Sequence, residues 1–161
     1  MIVDVERNDL GRICRAGSVR VAALAALRSF AAVHHLVARV AGQLREDVGL
    51  AEMLAATFPG GSITGAPKSS AMRILRALEP VRRGFYTGSL FWLGDDGRTE
   101  SSILIRSVVM PPGRALVGAG GGVVWDSSPE AEWRESCDKA RAILRTLGHE
   151  PEEASAEAEE S

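Results

Sequence analysis

Four runs rich in β-branched and aromatic residues follow one another with no helical pattern between them: Tyr86–Leu93, Ser102–Met110, Ala115–Val117 and Val123–Trp125. The sequence GDDG at residues 94–97 reads as the turn between the first two. Strands in series argue against βαβ repeats and for an α+β fold with mainly antiparallel pairing. Two further strand-like stretches lie earlier, at Ser18–Ala23 and Ala32–Gly42. Met1–Val5 reads as a short buried strand or the end of a helix.

Three helices are predicted around these runs. Arg45–Phe58 carries Leu50, Met53, Leu54 and Phe58 on one stripe, with Asp47 as its candidate cap. A second runs from Pro67 to Leu78, with Pro67 in the first position, where its missing N–H costs nothing. The third lies within residues 127–148. Ser128 is its N-cap, Pro129 stands at the first position and Gly148 closes the end.

The 161 residues suffice for one domain with a real core. Apolar residues make up 45% and charged residues 25%, as in ordinary globular proteins. Residues 150–161 hold six glutamates and no base, so removing them takes the formal charge from −2 to +4. The expected organisation is a folded part at 1–148 and an acidic, disordered tail at 149–161. Neither the charge nor any motif points to nucleic acid, and no apolar run reaches the ~20 residues of a membrane span. Cys14 and Cys137 give no disulfide framework, and a reduced cytoplasmic setting is expected.

Several stretches carry possible chemistry. FPGGSITGAPKSS (58–70) has two glycines five apart, Gly60 and Gly65, but Ala66 and Pro67 separate Gly65 from Lys68. A P-loop needs its lysine directly after the second glycine, so this is read as a loop entering a helix whose free N–H groups favour an anion. Glu132, Glu135 and Lys139 share one face of the last helix. Two such carboxylates can ligate a hard dication; the plainer reading is a solvated face with a Glu–Lys pair. VGAGGGVVWDSSP (117–129) offers bare backbone N–H groups to a ligand, or forms a bulged turn. His34 and His35 sit in a strand-like run, one facing each side. Arg106 interrupts an apolar strand, and there a buried arginine needs an anionic partner. Tyr86 heads the preceding strand. Together these groups suit a small dicarboxylate with Mg²⁺.

The motifs MIVDVERNDLGRIC, GSVRV, VHHLVARVAGQL, FPGGSITGAPK, RRGFYTGSL, SSILIRS and GAGGGVVWDSSPEAEWRESCDKA resemble, in order, those of the chorismate-utilising enzymes. PGGSITGAPK together with AGGG is most similar to the aminodeoxychorismate synthase component I branch; anthranilate synthase component I is the alternative. The resemblance covers nearly all of Met1 to Leu147. It implies part of an α/β/β/α sandwich, and amination of chorismate at C4 with ammonia from a glutamine amidotransferase partner. It implies that Glu132 and Glu135 belong to a Mg²⁺ site, and that Lys139 with the backbone of Gly120, Gly121 and Gly122 holds a substrate carboxylate. Arg106 and Tyr86 would contact the enolpyruvyl carboxylate, and Thr64 and Gly65 would lie close to the ring. His35 would manage the proton as the C4 hydroxyl leaves.

Ala38 stands where the family usually has serine, Ser69-Ser70 replace a usual Val-Arg, and Glu6 is an unusual charge in its motif. Family members also run to about three times this length. Their N-terminal part carries a lysine-bearing PIKGT segment and a further glutamate segment of the metal site. The chain is therefore expected to be a C-terminal portion with an incomplete site and little or no synthase activity alone. A non-catalytic chorismate-binding module is the reading from another class. Half of a sandwich also leaves a sheet face uncovered, which predicts poor solubility or self-association.

Overall fold

A computed structural model describes residues 2–30 and 34–149. The acidic tail, Met1 and the start of the run at Ala32 lie outside them, apart from His149. The chain divides between Arg82 and Arg83 into two compact units.

The first unit opens with α1 (Ile2–Gly11). The strand alternative for its first residues is overturned, because Val5 and Asp9 fall one turn apart on a helical face turned inward. Next come β1 (Arg20–Ser29) and β2 (His34–Ala41), an antiparallel pair. Its register slips between Val21 and Ala26, where Ala25 takes a positive φ of 52°. The backbone beyond the pair continues the contact, with Arg15 N–H donating to Gln43 O and Arg45 N–H to Ile13 O.

Then follow α2 (Leu50–Thr57), the single turn α3 (Gly61–Thr64) and α4 (Lys68–Leu78). Gly49 caps α2, and Glu52 reaches back to accept from the Gly49 N–H at 3.1 Å. The expected cap, Asp47, is committed elsewhere, to the Arg45 guanidinium. Pro67 also sits one place earlier than expected. Its φ of −68° suits a helix, but its ψ of 133° is extended, so it is the N-cap of α4.

The core of this unit is small. Ile13, Cys14 and Ala56 are buried, and Leu10, Val19, Val48 and Met53 pack around them. The buried charge is Asp9, 3% exposed. Its Oδ2 takes the Lys68 ammonium at 2.7 Å, and the same ammonium donates to the Ala56 carbonyl at 3.0 Å. Lys68 is thus turned onto α1 and the end of α2, which explains physically why the glycine loop is not a phosphate cradle.

The second unit holds β3 (Ser89–Leu93) paired antiparallel with β4 (Thr99–Ile103), and β5 (Val108–Val109) paired antiparallel with β6 (Leu116–Val117). The GDDG turn joins β3 to β4 as expected, with Gly94 N–H bonded to Arg98 O. Hydrogen bonds from the Arg98 backbone and side chain hold the Asp96 carboxyl below its usual pKa. The helix α5 (Pro129–Thr146) has the predicted ends. Ser128 Oγ accepts from Ala131 N, and Gly148 has φ +79°.

Three strand expectations are corrected here. Tyr86–Gly88 forms a turn, so Tyr86 precedes β3 and does not head it. The run at Ser102–Met110 breaks at Arg106, whose φ is +51°. Val123–Trp125 is not a strand, because Val124 is tied in both directions to Ser127. All strand pairs among the described residues are antiparallel, and the fold is α+β. Many apolar side chains stay open to solvent, among them Leu24 and Leu36 on the β1–β2 pair and Trp92 on β3.

Removing one partner of a buried ion pair strands the other charge, at a cost of about 3–5 kcal/mol. Lys68→Met is therefore expected to destabilise the first unit by roughly that amount. Lys68→Met combined with Asp9→Leu should recover most of the loss. Urea unfolding followed by circular dichroism measures both; equal stability of the single and double variants would contradict the pair's role.

Candidate functional site

The site residues expected from the sequence divide between the two units. His35, Thr64 and Gly65 belong to the first, and Tyr86, Arg106, Gly120, Gly121, Gly122, Glu132, Glu135 and Lys139 to the second.

In the first unit, Thr64 ends α3 and Gly65 follows with φ +91°, a backbone conformation that favours glycine. The Thr64 hydroxyl lies 3.4 Å from Gly60 O and 3.2 Å from Gly65 O. The loop is held to α1 at three places. Gly61 packs so closely on Val5 that a side chain there would collide. The Ser62 hydroxyl donates to Glu6 Oε1 at 3.4 Å, which gives the unusual Glu6 a local role. Lys68, just beyond the loop, is fixed by Asp9.

His34 and His35 alternate along β2, with His34 exposed and His35 half-buried. His34 Nδ1 lies 2.9 Å from Ser29 Oγ. The His35 ring meets Phe30 in a T-shaped arrangement, with ring centroids 5.8 Å apart.

The second unit brings most of its candidates together. The Tyr86 ring lies against Gly118, and its hydroxyl is 3.0 Å from where a Cβ on Gly120 would stand. Glycine is used here for close approach, and the bulged-turn reading of this segment is replaced by a bed for the tyrosine. Lys139 Nζ donates to Gly120 O at 3.1 Å and pairs with Glu135 at 2.5 Å. The predicted Glu–Lys pair is thus formed, by Glu135 alone.

Glu132 makes other contacts. Its Oε1 accepts from the Ser127 hydroxyl at 2.5 Å, and its Oε2 is buried with no hydrogen-bond partner. That orphan oxygen faces Gly121, where a Cβ would lie only 2.5 Å from it. A buried carboxylate oxygen without a donor is costly unless a proton or cation meets it. The described residues include no group of three or more His, Cys, Asp or Glu placed to hold a metal. The orphaned Glu132 oxygen suits a cation such as Mg²⁺, which takes one or two protein carboxylates and fills its shell with water or substrate oxygens, whereas Glu135 is engaged with Lys139.

Arg106 departs from expectation. It is exposed in a bend between β4 and β5, not buried in a strand. The positive φ at this residue interrupts the pairing and turns it out of the sheet. Sequence reasoning passed over Ser127 and treated Lys68 only as a failed P-loop lysine. The adjacent serines before Pro129 were the available signal for Ser127, since a helix needs only one cap.

Gly118→Ala is expected to push the ring of Tyr86, the single tyrosine, off its glycine bed and to cost about 1–3 kcal/mol. Gly122→Ala meets nothing within 4 Å and should leave the ring in place. Tyrosine ring resonances in NMR spectra distinguish the two; unchanged resonances in Gly118→Ala would refute the packing.

A family model for chorismate binding enzymes matches residues 1–145. Aminodeoxychorismate synthase component 1 of Bacillus subtilis is 46% identical over 153 residues, 95% of this chain and 33% of the relative. Anthranilate synthase component 1 of Bacillus caldotenax is 44% identical over 91% of this chain and 29% of its own length. The crystal structure of anthranilate synthase component I from Streptococcus pneumoniae aligns with a TM-score of 0.81 and 38% identity, over 89% of this chain and 33% of that one. The chain thus spans about a third of the length of these relatives, and by the match across residues 1–145 it belongs to the chorismate binding enzyme family.

Proposed function

We propose that this chain supplies part of the active site of an aminodeoxychorismate synthase component I, aminating chorismate at C4 to 4-amino-4-deoxychorismate for para-aminobenzoate and folate synthesis. The observation that carries this reading is the cluster around α5. An orphaned carboxylate oxygen on Glu132 faces Gly121, beside a lysine bonded to Gly120. Such a set suits a dication and a substrate carboxylate together. Family membership supports chorismate as that substrate.

In this reading Glu132 would hold Mg²⁺, joined by Glu135 once its bond to Lys139 is given up, and the ion would neutralise the ring carboxylate of chorismate. Lys139 and the backbone of Gly120, Gly121 and Gly122 hold a substrate carboxylate. Arg106, exposed and unpaired among the described residues, takes the enolpyruvyl carboxylate with Tyr86. Thr64 and Gly65 lie against the ring. His35 passes a proton to the C4 hydroxyl as the C–O bond breaks, so that water leaves. The nitrogen lone pair of ammonia forms the new C–N bond, and the proton it sheds restores His35. The ammonia comes from a glutamine amidotransferase partner, in the cytoplasm. Relatives about three times as long suggest that the rest of the site lies outside this chain.

A second reading, anthranilate synthase component I, is favoured by relatives of that name at similar identity. Product analysis separates the two. Chorismate, Mg²⁺ and an ammonium salt are given to this chain alone, and to the chain co-produced with the remaining part of the Bacillus subtilis relative. No turnover is expected from the chain alone, and 4-amino-4-deoxychorismate from the pair. Anthranilate would decide for the second reading. Saturable chorismate binding without turnover in either case would point to a binding module. Turnover by the chain alone would overturn the incomplete site.

A further inference from the structure

We infer that Ser127 is a positioning residue for Glu132, holding one carboxylate oxygen so that the other is presented to a divalent cation. The inference rests on the metal role proposed for Glu132.

Ser127 is held on both sides by one residue. Val124 N–H donates to Ser127 Oγ at 3.0 Å, and Ser127 N–H donates to Val124 O at 3.0 Å. A serine hydroxyl has one proton to give. With the Val124 N–H already on its oxygen, that proton goes to Glu132 Oε1, 2.5 Å away. A hydrogen bond from a hydroxyl to a carboxylate is among the stronger kinds. The carboxylate is thereby fixed in rotation, and Oε2 is left buried, without a donor, against Gly121.

The two serines have different tasks. Ser128 caps α5 through Ala131 N, and its carbonyl accepts from Glu132 N. Ser127 makes no bond to the helix backbone among those described; its side chain is spent on Val124 and Glu132. Removing the Ser127 hydroxyl should therefore leave the helix intact and free the carboxylate to rotate. Groups that orient a ligating side chain typically change metal affinity by about 10–100-fold.

The test uses the whole 161-residue chain and Mn²⁺ as the probe, with bound ion read by electron paramagnetic resonance. Ser127→Ala is expected to weaken Mn²⁺ binding by about tenfold or more, with the helix signal in circular dichroism unchanged. Ser127→Thr keeps the hydroxyl and should bind as the wild type does. Glu132→Gln should abolish binding. If Ser127→Ala binds like the wild type while Glu132→Gln does not, the role of Ser127 is overturned and the metal reading stands. If Ser127→Thr fails as Ser127→Ala does, the hydroxyl is not the cause and the inference falls. If neither the wild-type chain alone nor the chain co-produced with the remaining part of the Bacillus subtilis relative takes up Mn²⁺, the metal reading itself fails and takes this inference with it.

Discussion

The first unit depends on one ion pair away from solvent. Its apolar core is three buried residues with a thin surround, too little to specify a structure by packing alone. Asp9 supplies the missing specificity. Its carboxylate cannot stay charged in the interior without a cation, and Lys68 is the cation placed to meet it. Because the same ammonium also binds the Ala56 carbonyl, one group joins α1, the end of α2 and the start of α4. The Pro59–Pro67 loop is then closed between fixed ends. Gly61 on Val5 and Ser62 on Glu6 press it onto α1. Thr64 and Gly65 owe their placement to these contacts.

The second unit is organised by backbone access in place of a core. None of its described residues is fully buried. Its order comes from short strand pairs, a well-capped helix and the glycine run between them. Gly118 and Gly120 admit the Tyr86 ring, and Gly121 admits the Glu132 carboxylate. One glycine-rich segment therefore receives an aromatic ring, a carboxylate and, through Gly120 O, the Lys139 ammonium. Such a segment fixes groups of opposite character within a few residues. Trp125, Leu24 and Leu36 remain exposed.

The outline of the fold was legible in advance wherever a local rule had no rival. The ends of α5 followed from Ser128, Pro129 and Gly148, because capping is decided within one turn. The GDDG turn followed from its local composition, and the antiparallel arrangement from strands that follow one another without intervening helices. Legibility ended where two local rules competed. Asp47 looks like a cap, but Glu52 and Gly49 serve α2 without it. The valines at 123–124 look like a strand, but their backbone is drawn into the turn that Ser127 closes. Arg106 sits in an apolar run, yet its left-handed backbone turns it outward.

By itself the sequence determined which candidate groups each unit offers: a histidine in a strand in the first, and two carboxylates and a lysine at helical spacing with a glycine run in the second. Spacing along one element is a local property, so Glu135 and Lys139 could be paired on paper. Tertiary structure alone decided how those groups are used. It sent Lys68 to Asp9, separated in sequence by most of the unit, because a buried charge must find its counterion wherever the chain brings one. It also split the two glutamates. Glu135 joined the lysine, while the loop before α5 carried the Ser127 hydroxyl onto Glu132 and left one oxygen facing Gly121. That division depends on where a loop returns in space, which no periodicity in the sequence encodes.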